Sequence, residues 1–131
     1  GSTLAPGASI GTMTYTDVSF EEGSRYLCET APASADVLHV LGTLTLPAAA
    51  NSVTVSLSGV AAPNPMSLFT LDNPLGGGDI ASIYVDKGSV PGVPVVQQIG
   101  NDIVITGMIP EPGVMGAALA ALALRIRRRA R

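Results

Sequence analysis

The sequence contains no tryptophan, only one cysteine, one histidine and one lysine, and aromatic residues make up 4% of its 131 positions. The single cysteine, Cys28, cannot form an intramolecular disulfide, so the core alone must hold the fold. One cysteine and one histidine are too few for a zinc site built from these side chains, and we expect no cofactor. Three tyrosines, Tyr15, Tyr26 and Tyr84, offer few platforms for stacking sugar rings.

Charged residues are also scarce, at 13% of the sequence, and their two signs are separated along the chain. From Gly1 to Ile109, nine acidic residues stand against Arg25 and Lys87, which gives this part a net charge of −7. From Pro110 onward, one glutamate stands against five arginines, a net charge of +4. Because the acidic part would repel phosphate groups, this distribution argues against nucleic acid as a partner.

The length and the turn residues favour one small all-β domain, which we place at residues 1–108. Fifteen glycines and ten prolines are too many for a helical bundle, and they separate short runs rich in Val, Ile, Thr and Leu. We predict a small antiparallel β-sandwich or jelly-roll-like domain. The expected strands are Thr12–Phe20, Val37–Leu46, Ser52–Val60, Met66–Leu71, Ile80–Val85, Val93–Ile99 and Ile103–Thr106.

Several local patterns refine this prediction. Alternation over Ser52–Ser58 places Val53, Val55 and Leu57 on the buried face, and we expect Ile103 and Ile105 inside as well. Gly100 and Asn101 both tolerate positive φ, so they predict a type I′ hairpin between the last two strands. A short helical turn is expected near Glu21–Leu27.

The chain beyond residue 108 has a different composition. Pro110, Glu111 and Pro112 precede Gly113–Leu124, an uninterrupted apolar run dominated by Ala and Leu, for which we predict a helix. Arginines then close the chain, at Arg125, Arg127, Arg128, Arg129 and Arg131. An apolar helix followed by an arginine cluster stops translocation and keeps its basic end cytoplasmic.

This arrangement, over residues 109–131, resembles the PEP-CTERM sorting signal of exported bacterial proteins. The resemblance implies that Pro110, Glu111 and Pro112 form the sorting motif, which a membrane-embedded exosortase reads and cleaves nearby. It further implies a Gram-negative source, a transient membrane anchor, and final delivery to the cell surface or to an exopolysaccharide matrix. The polysaccharide is then a further partner.

The apolar stretch of the tail is short for a membrane-spanning helix. The twelve residues Gly113–Leu124 span about 18 Å as a helix, whereas the hydrocarbon core of a bilayer is roughly 30 Å thick. The arginines must therefore snorkel, or the bilayer must thin locally.

The first residue is Gly1, and no signal peptide is visible, so we expect an incomplete or processed N-terminus.

Other candidate residues have weaker patterns. His39 is expected on the wet face of its strand, and no Gly-x-Ser-x-Gly motif accompanies it. Cys28 could act as a nucleophile with His39 as base, but a half-buried structural thiol is the simpler interpretation. Asp72, Asn73 and Asp79 flank a glycine turn and are weak candidates for calcium ligands.

We therefore predict an exported, non-enzymatic protein of the envelope or extracellular matrix, with no catalytic residues of its own. Two alternatives remain open. One is a tail-anchored envelope hydrolase that uses His39 and a nearby acid. The other is a calcium- or glycan-binding adhesion module that uses the loop from Asp72 to Asp79.

Overall fold

The computed structural model describes residues 3–5 and 10–109, and it shows an all-β fold, as predicted. The helix expected over Gly113–Leu124 lies outside the described residues. The twelve strands are β1 (Thr3–Leu4), β2 (Thr12–Tyr15), β3 (Val18–Ser19), β4 (Arg25–Ala31), β5 (Ser34–Ala35), β6 (Val37–Val40), β7 (Leu44–Thr45), β8 (Val53–Ser58), β9 (Met66–Leu71), β10 (Ile83–Asp86), β11 (Gly92–Ile99) and β12 (Asp102–Met108).

These strands form two five-stranded sheets and one two-stranded sheet. The first large sheet has the order β1-β4-β8-β10, with β5 paired to β4, and the second has the order β11-β12-β9-β6-β2. Strands β3 and β7 form the small sheet, which an isolated parallel bridge between Thr45 and Gly77 extends. The chain therefore visits the second sheet, the small sheet and the first sheet in turn, and then repeats the circuit.

The repeated circuit makes the fold a coil of stacked turns. On the second large sheet, β2 and β6 each pair in parallel with the strand one turn later, 25 residues on from Thr12 to Val37 and 31 residues on from Leu38 to Phe69. Strands β4, β8 and β10 stack in the same way on the other large sheet. This is the connectivity of a parallel β-helix, in which each turn buries its apolar side against its neighbours.

The expected antiparallel arrangement is wrong for most of these pairs. Only β11 with β12, β12 with β9, and β4 with β5 are antiparallel, and the other six pairings of the described strands are parallel. Short connections suggested hairpins because parallel neighbours usually require a helical crossover. Here the crossover consists of strands in the other two sheets, so most successive strands are not neighbours, and β4 with β5 and β11 with β12 are the exceptions.

The last two strands form the predicted hairpin. Ile99 pairs with Asp102, and the two strands continue antiparallel to Gly92 and Met108. Gly100 has a φ of 62°, whereas Asn51 is the only described non-glycine residue with positive φ. The turn therefore has the φ pattern of type II′ rather than the predicted type I′, because type I′ needs positive φ at both central residues.

Four predicted elements differ locally from the structure. Residues Glu21–Leu27 do not form a helical turn, because β4 begins at Arg25 and places alternate residues in the core. The strand expected over Thr12–Phe20 divides into β2 and β3, and the strand expected over Val37–Leu46 divides into β6 and β7; in both cases the two parts belong to different sheets. The start of the predicted strand Ile80–Val85 is a 3-10 helix over Ile80–Ser82, capped by the Asp79 carboxylate.

The interior of the coil contains aliphatic side chains from every turn and a small aromatic cluster. The predicted inward-facing residues are confirmed as buried: Val53, Val55, Leu57, Ile103 and Ile105. Phe69 stacks on Phe20 with ring centroids 5.6 Å apart and meets the edge of Tyr26 at 5.4 Å. Because these rings come from different sheets, the cluster links the sides of the coil.

Candidate functional site

Asp36 is a buried carboxylate that the sequence analysis did not single out. It lies between β5 and β6 with none of its surface exposed. Its Oδ1 accepts a hydrogen bond from the Gly11 N–H and its Oδ2 accepts one from the Glu29 N–H, both at 2.8 Å. Its own N–H donates to the Glu29 carbonyl, also at 2.8 Å. Both carboxylate oxygens therefore satisfy backbone groups, which is a structural role.

His39 and Asp72 form the one histidine–carboxylate pair among the described residues. The His39 Nε2 lies 2.7 Å from Asp72 Oδ1, and the two side chains are 32% and 51% exposed. Asp72 directly follows β9, so one turn of the coil separates the partners. In register, His39 lies between Thr14 on β2 and Thr70 on β9.

The pair has the geometry of an oriented base, but it lies on the outer surface of the sheet. A serine-type mechanism needs a nucleophile within hydrogen-bond reach of the second imidazole nitrogen. The described hydrogen bonds of His39 include only the one with Asp72. Both side chains are partly exposed, as they are in an ordinary surface pair, and such pairs contribute little stability.

Cys28 has the properties of a structural thiol. Its side chain is 1% exposed, and its Sγ donates to the Asp36 carbonyl at 3.5 Å. Burial, together with the nearby Asp36 carboxylate, raises the pKa of the Cys28 thiol to about 12. The thiolate is the nucleophilic form of cysteine, so this side chain is poorly suited to react at neutral pH.

We expect Cys28 to resist thiol reagents in the native protein. Relative to an ordinary thiol with a pKa of 9.0, its thiolate fraction near neutral pH should be lower by about a thousandfold. The rate of reaction with a colorimetric disulfide reagent, in the native and in the denatured protein, measures this difference in reactivity. The matched control is Leu27→Cys, a neighbouring position that is 39% exposed and should react at once. Equal native rates at both positions would contradict the burial of Cys28.

The weak calcium candidates are each engaged by a different local partner. Asp72 pairs with His39, while the Asn73 side-chain amide donates to the carbonyls of Leu41 and Gly42, both at 2.9 Å. Asp79 accepts from the Ala81 N–H at 2.9 Å and caps the 3-10 helix. Within residues 3–5 and 10–109, no group of three or more His, Cys, Asp or Glu side chains could hold a metal ion.

A shallow cleft of about 730 Å³ lies where the coil ends, between the 3-10 helix with β10 on one side and β11 on the other. Its walls include Ile80, Tyr84, Val85, Pro94 and Val96. Strand β10 is the edge of its sheet and pairs only with β8 in the described part of the chain. No local pattern of residues predicts this cleft, because the cleft depends on which two sheet edges the coil brings together.

The sorting motif Pro110, Glu111 and Pro112, and the arginines from Arg125 to Arg131, lie outside the described residues. Among the residues that the structure does describe, no helix has the length and apolar character needed to cross a membrane. The structure does show where the chain enters this tail, at the end of β12 beside β11.

The chain matches no protein-family profile, no curated protein and no solved structure.

Proposed function

We propose that this protein is an exported component of the bacterial envelope or extracellular matrix, sorted through its PEP-CTERM-like tail, with a β-domain that has a structural or binding role. In this proposal the two five-stranded sheets act as opposed, sandwich-like walls of a rigid body. An exosortase-type membrane protease is the partner that reads Pro110, Glu111 and Pro112. The exopolysaccharide matrix is the destination.

The observation that carries the proposal is the order of parts in the sequence. An acidic part with a net charge of −7 is followed by a Pro-Glu-Pro motif, an all-apolar stretch and five arginines. A terminal helix that packed on the β-domain would need a polar face for solvent, and Gly113–Leu124 has none. The arginines oppose translocation, so the motif would lie at the outer interface of the membrane.

The β-domain supports a non-enzymatic role through the positions of its polar groups. Both oxygens of the Asp36 carboxylate accept backbone hydrogen bonds, and Cys28 is buried. His39 and Asp72 lie on an outer sheet face and do not line the cleft at the end of the coil. The oriented His39–Asp72 pair supports the hydrolase alternative. Among the described contacts, however, no nucleophile is hydrogen-bonded to that pair.

Processing of the tail tests the proposal directly. In the native host, the mature surface protein should lack Arg131, and mass spectrometry of its C-terminal peptide should find an end near Pro112.

Glu111→Ala should leave membrane insertion intact but block maturation, because one interfacial carboxylate adds little to anchoring. Replacing the five arginines by glutamine should release uncleaved protein, because the short apolar stretch is a weak anchor by itself.

Glu22→Ala is the matched control for Glu111→Ala, since it also removes one glutamate, but at an exposed position of the β-domain. It should mature normally. Surface-localised wild-type protein that still carries Arg131 would refute sorting by cleavage.

A further inference from the structure

The chain leaves the β-domain at a fixed point beside the start of β11. The Ile109 N–H donates to the Pro91 carbonyl at 3.1 Å, and Gly92 pairs with Met108. Gly107, with a φ of 85°, lies so close to the Val93 carbonyl that a side chain at this glycine would overlap it. The last described residue is therefore held against the hairpin rather than on a loose connection.

The surface around this exit is unusually apolar for an exposed strand. Val93 is 75% exposed, Val95 is 47% exposed and Ile109 is 39% exposed. Pro94 and Val96 line the cleft, whereas Val93 and Val95 are exposed and do not line it, although the strand register shifts between Gly92 and Val95. We call Val93, Val95 and Ile109 the exit face.

A short tether ties the exit face to the apolar stretch. Four residue steps separate Ile109 from Gly113, so even a fully extended chain spans no more than about 14 Å. The polar headgroup layer of one leaflet is itself roughly 5–7 Å thick. When the apolar stretch enters a bilayer, the tether keeps Ile109 within about 10 Å of the headgroup surface.

We propose that the exit face is a membrane-contact surface, which packs Val93, Val95 and Ile109 against the headgroup region of the bilayer that holds the tail. The inference rests on the proposed function, because the tail must first insert. Lys87 lies near this end, with its Nζ donating to the Val90 carbonyl at 3.4 Å, and the exposed Asp86 beside it offsets its charge. The contact therefore rests on the apolar side chains of the exit face rather than on charge.

The contact would compensate for the shortness of the anchor. A stretch of about 18 Å leaves part of a hydrocarbon core of roughly 30 Å unspanned, so the tail alone is a marginal anchor. Exposed aliphatic side chains placed at the interface add membrane affinity in proportion to the apolar area they bury. The β-domain thus takes part in its own retention before processing.

The test uses the full chain in vesicles of phosphatidylcholine and phosphatidylglycerol, with a fluorescent label at an introduced cysteine. Val93→Cys reports on the exit face, and Tyr15→Cys is the control at the opposite edge of the same sheet. Four strand spacings, about 19 Å, separate β2 from β11. The buried Cys28 should not take the label at neutral pH. Vesicle flotation measures anchoring, and quenching by aqueous iodide measures contact with water.

We expect the protein to float with the vesicles and the label at position 93 to be quenched about threefold less than the label at position 15. If the protein floats and both labels are quenched equally, anchoring stands and the exit face does not touch the membrane. If the protein does not float, the anchoring step of the proposed function fails, and this inference fails with it.

Charge substitution gives a second measurement that does not depend on labels. The double variant Val93→Asp with Val95→Asp should lower the floated fraction severalfold, because it places two acids against anionic headgroups. The charge-matched control is the double variant Ile99→Asp with Tyr15→Asp, since Ile99 is 58% exposed at the other end of the same strand and Tyr15 is 41% exposed at the opposite edge of the sheet. An equal loss of flotation in the control and the exit-face variant would overturn the assignment of the exit face.

Discussion

Replacing Asp36 by alanine should lower the melting temperature of the protein by about 10–20 °C. The substitution removes two charge-assisted hydrogen bonds at 2.8 Å, those that the N–H groups of Gly11 and Glu29 donate to the buried carboxylate. A hydrogen bond to a charged group contributes about 1.5–3 kcal/mol, so the expected loss of unfolding free energy is about 3–5 kcal/mol. Thermal unfolding followed by circular dichroism measures the change.

Asp36→Asn separates the hydrogen bonds from the side-chain volume. The amide keeps one acceptor oxygen but turns an NH₂ group toward the second backbone N–H, so we expect a loss close to that of alanine. Asp86→Ala is the control, because Asp86 is an exposed acid that only accepts from Gly88 in a turn. It should change stability by less than about 1 kcal/mol. A similar melting temperature for Asp36→Ala and Asp86→Ala would contradict the structural role of Asp36.

Phe69→Ala should destabilise the protein by about 3–5 kcal/mol, the cost of emptying a buried aromatic site. Phe69 is fully buried and contacts Phe20 and Tyr26 through its ring. It also lies in register with Leu38 on one side and Ile103 on the other. Its removal therefore opens a cavity where the turns and the terminal hairpin meet.

Chemical denaturation of Phe69→Ala, with Tyr84→Ala as the control, tests this expectation. Tyr84 is an aromatic residue of the same coil but is 52% exposed, so its truncation should cost less than about 1 kcal/mol. Phe69→Leu should fall between the two, because it retains much of the apolar volume. A loss under 1 kcal/mol for Phe69→Ala would show that the aromatic cluster does not hold the coil together.

The sequence allowed the buried faces to be predicted but not the directions of the strands. Alternation at Val53, Val55 and Leu57 depends only on which side meets the core, and that side is the same in a hairpin and in a coil. Parallel sheets usually carry continuous apolar runs because helices cover both of their faces. In this protein the outer faces are wet, so the alternation remained and suggested antiparallel pairing. Gly100 and Asn101 predicted the hairpin β11–β12, whereas no pattern predicted the short antiparallel pair β4–β5.

The candidate site was predictable in part. The exposed position of His39 followed from its strand, but its partner Asp72 lies a full turn away along the chain, and no local pattern connects them. Asp36 was overlooked because an aspartate next to a strand ordinarily faces water, whereas here its two oxygens join Gly11 to Glu29. The residues of strand β4 do not predict a strand, because the apolar Leu27 faces outward while the polar Thr30 is buried, and this obscures the alternation of apolar and polar residues.

The stacked turns also bear on how such a protein could change in length during evolution. Each turn of 22 to 31 residues adds one strand to each large sheet and lengthens the coil by about 4.8 Å. The antiparallel hairpin β11–β12 closes one sheet and fixes the point where the chain leaves the domain. Duplication of an internal turn would therefore lengthen the domain without altering either the hairpin or the exit, so the length of the domain does not depend on the point at which the chain leaves it.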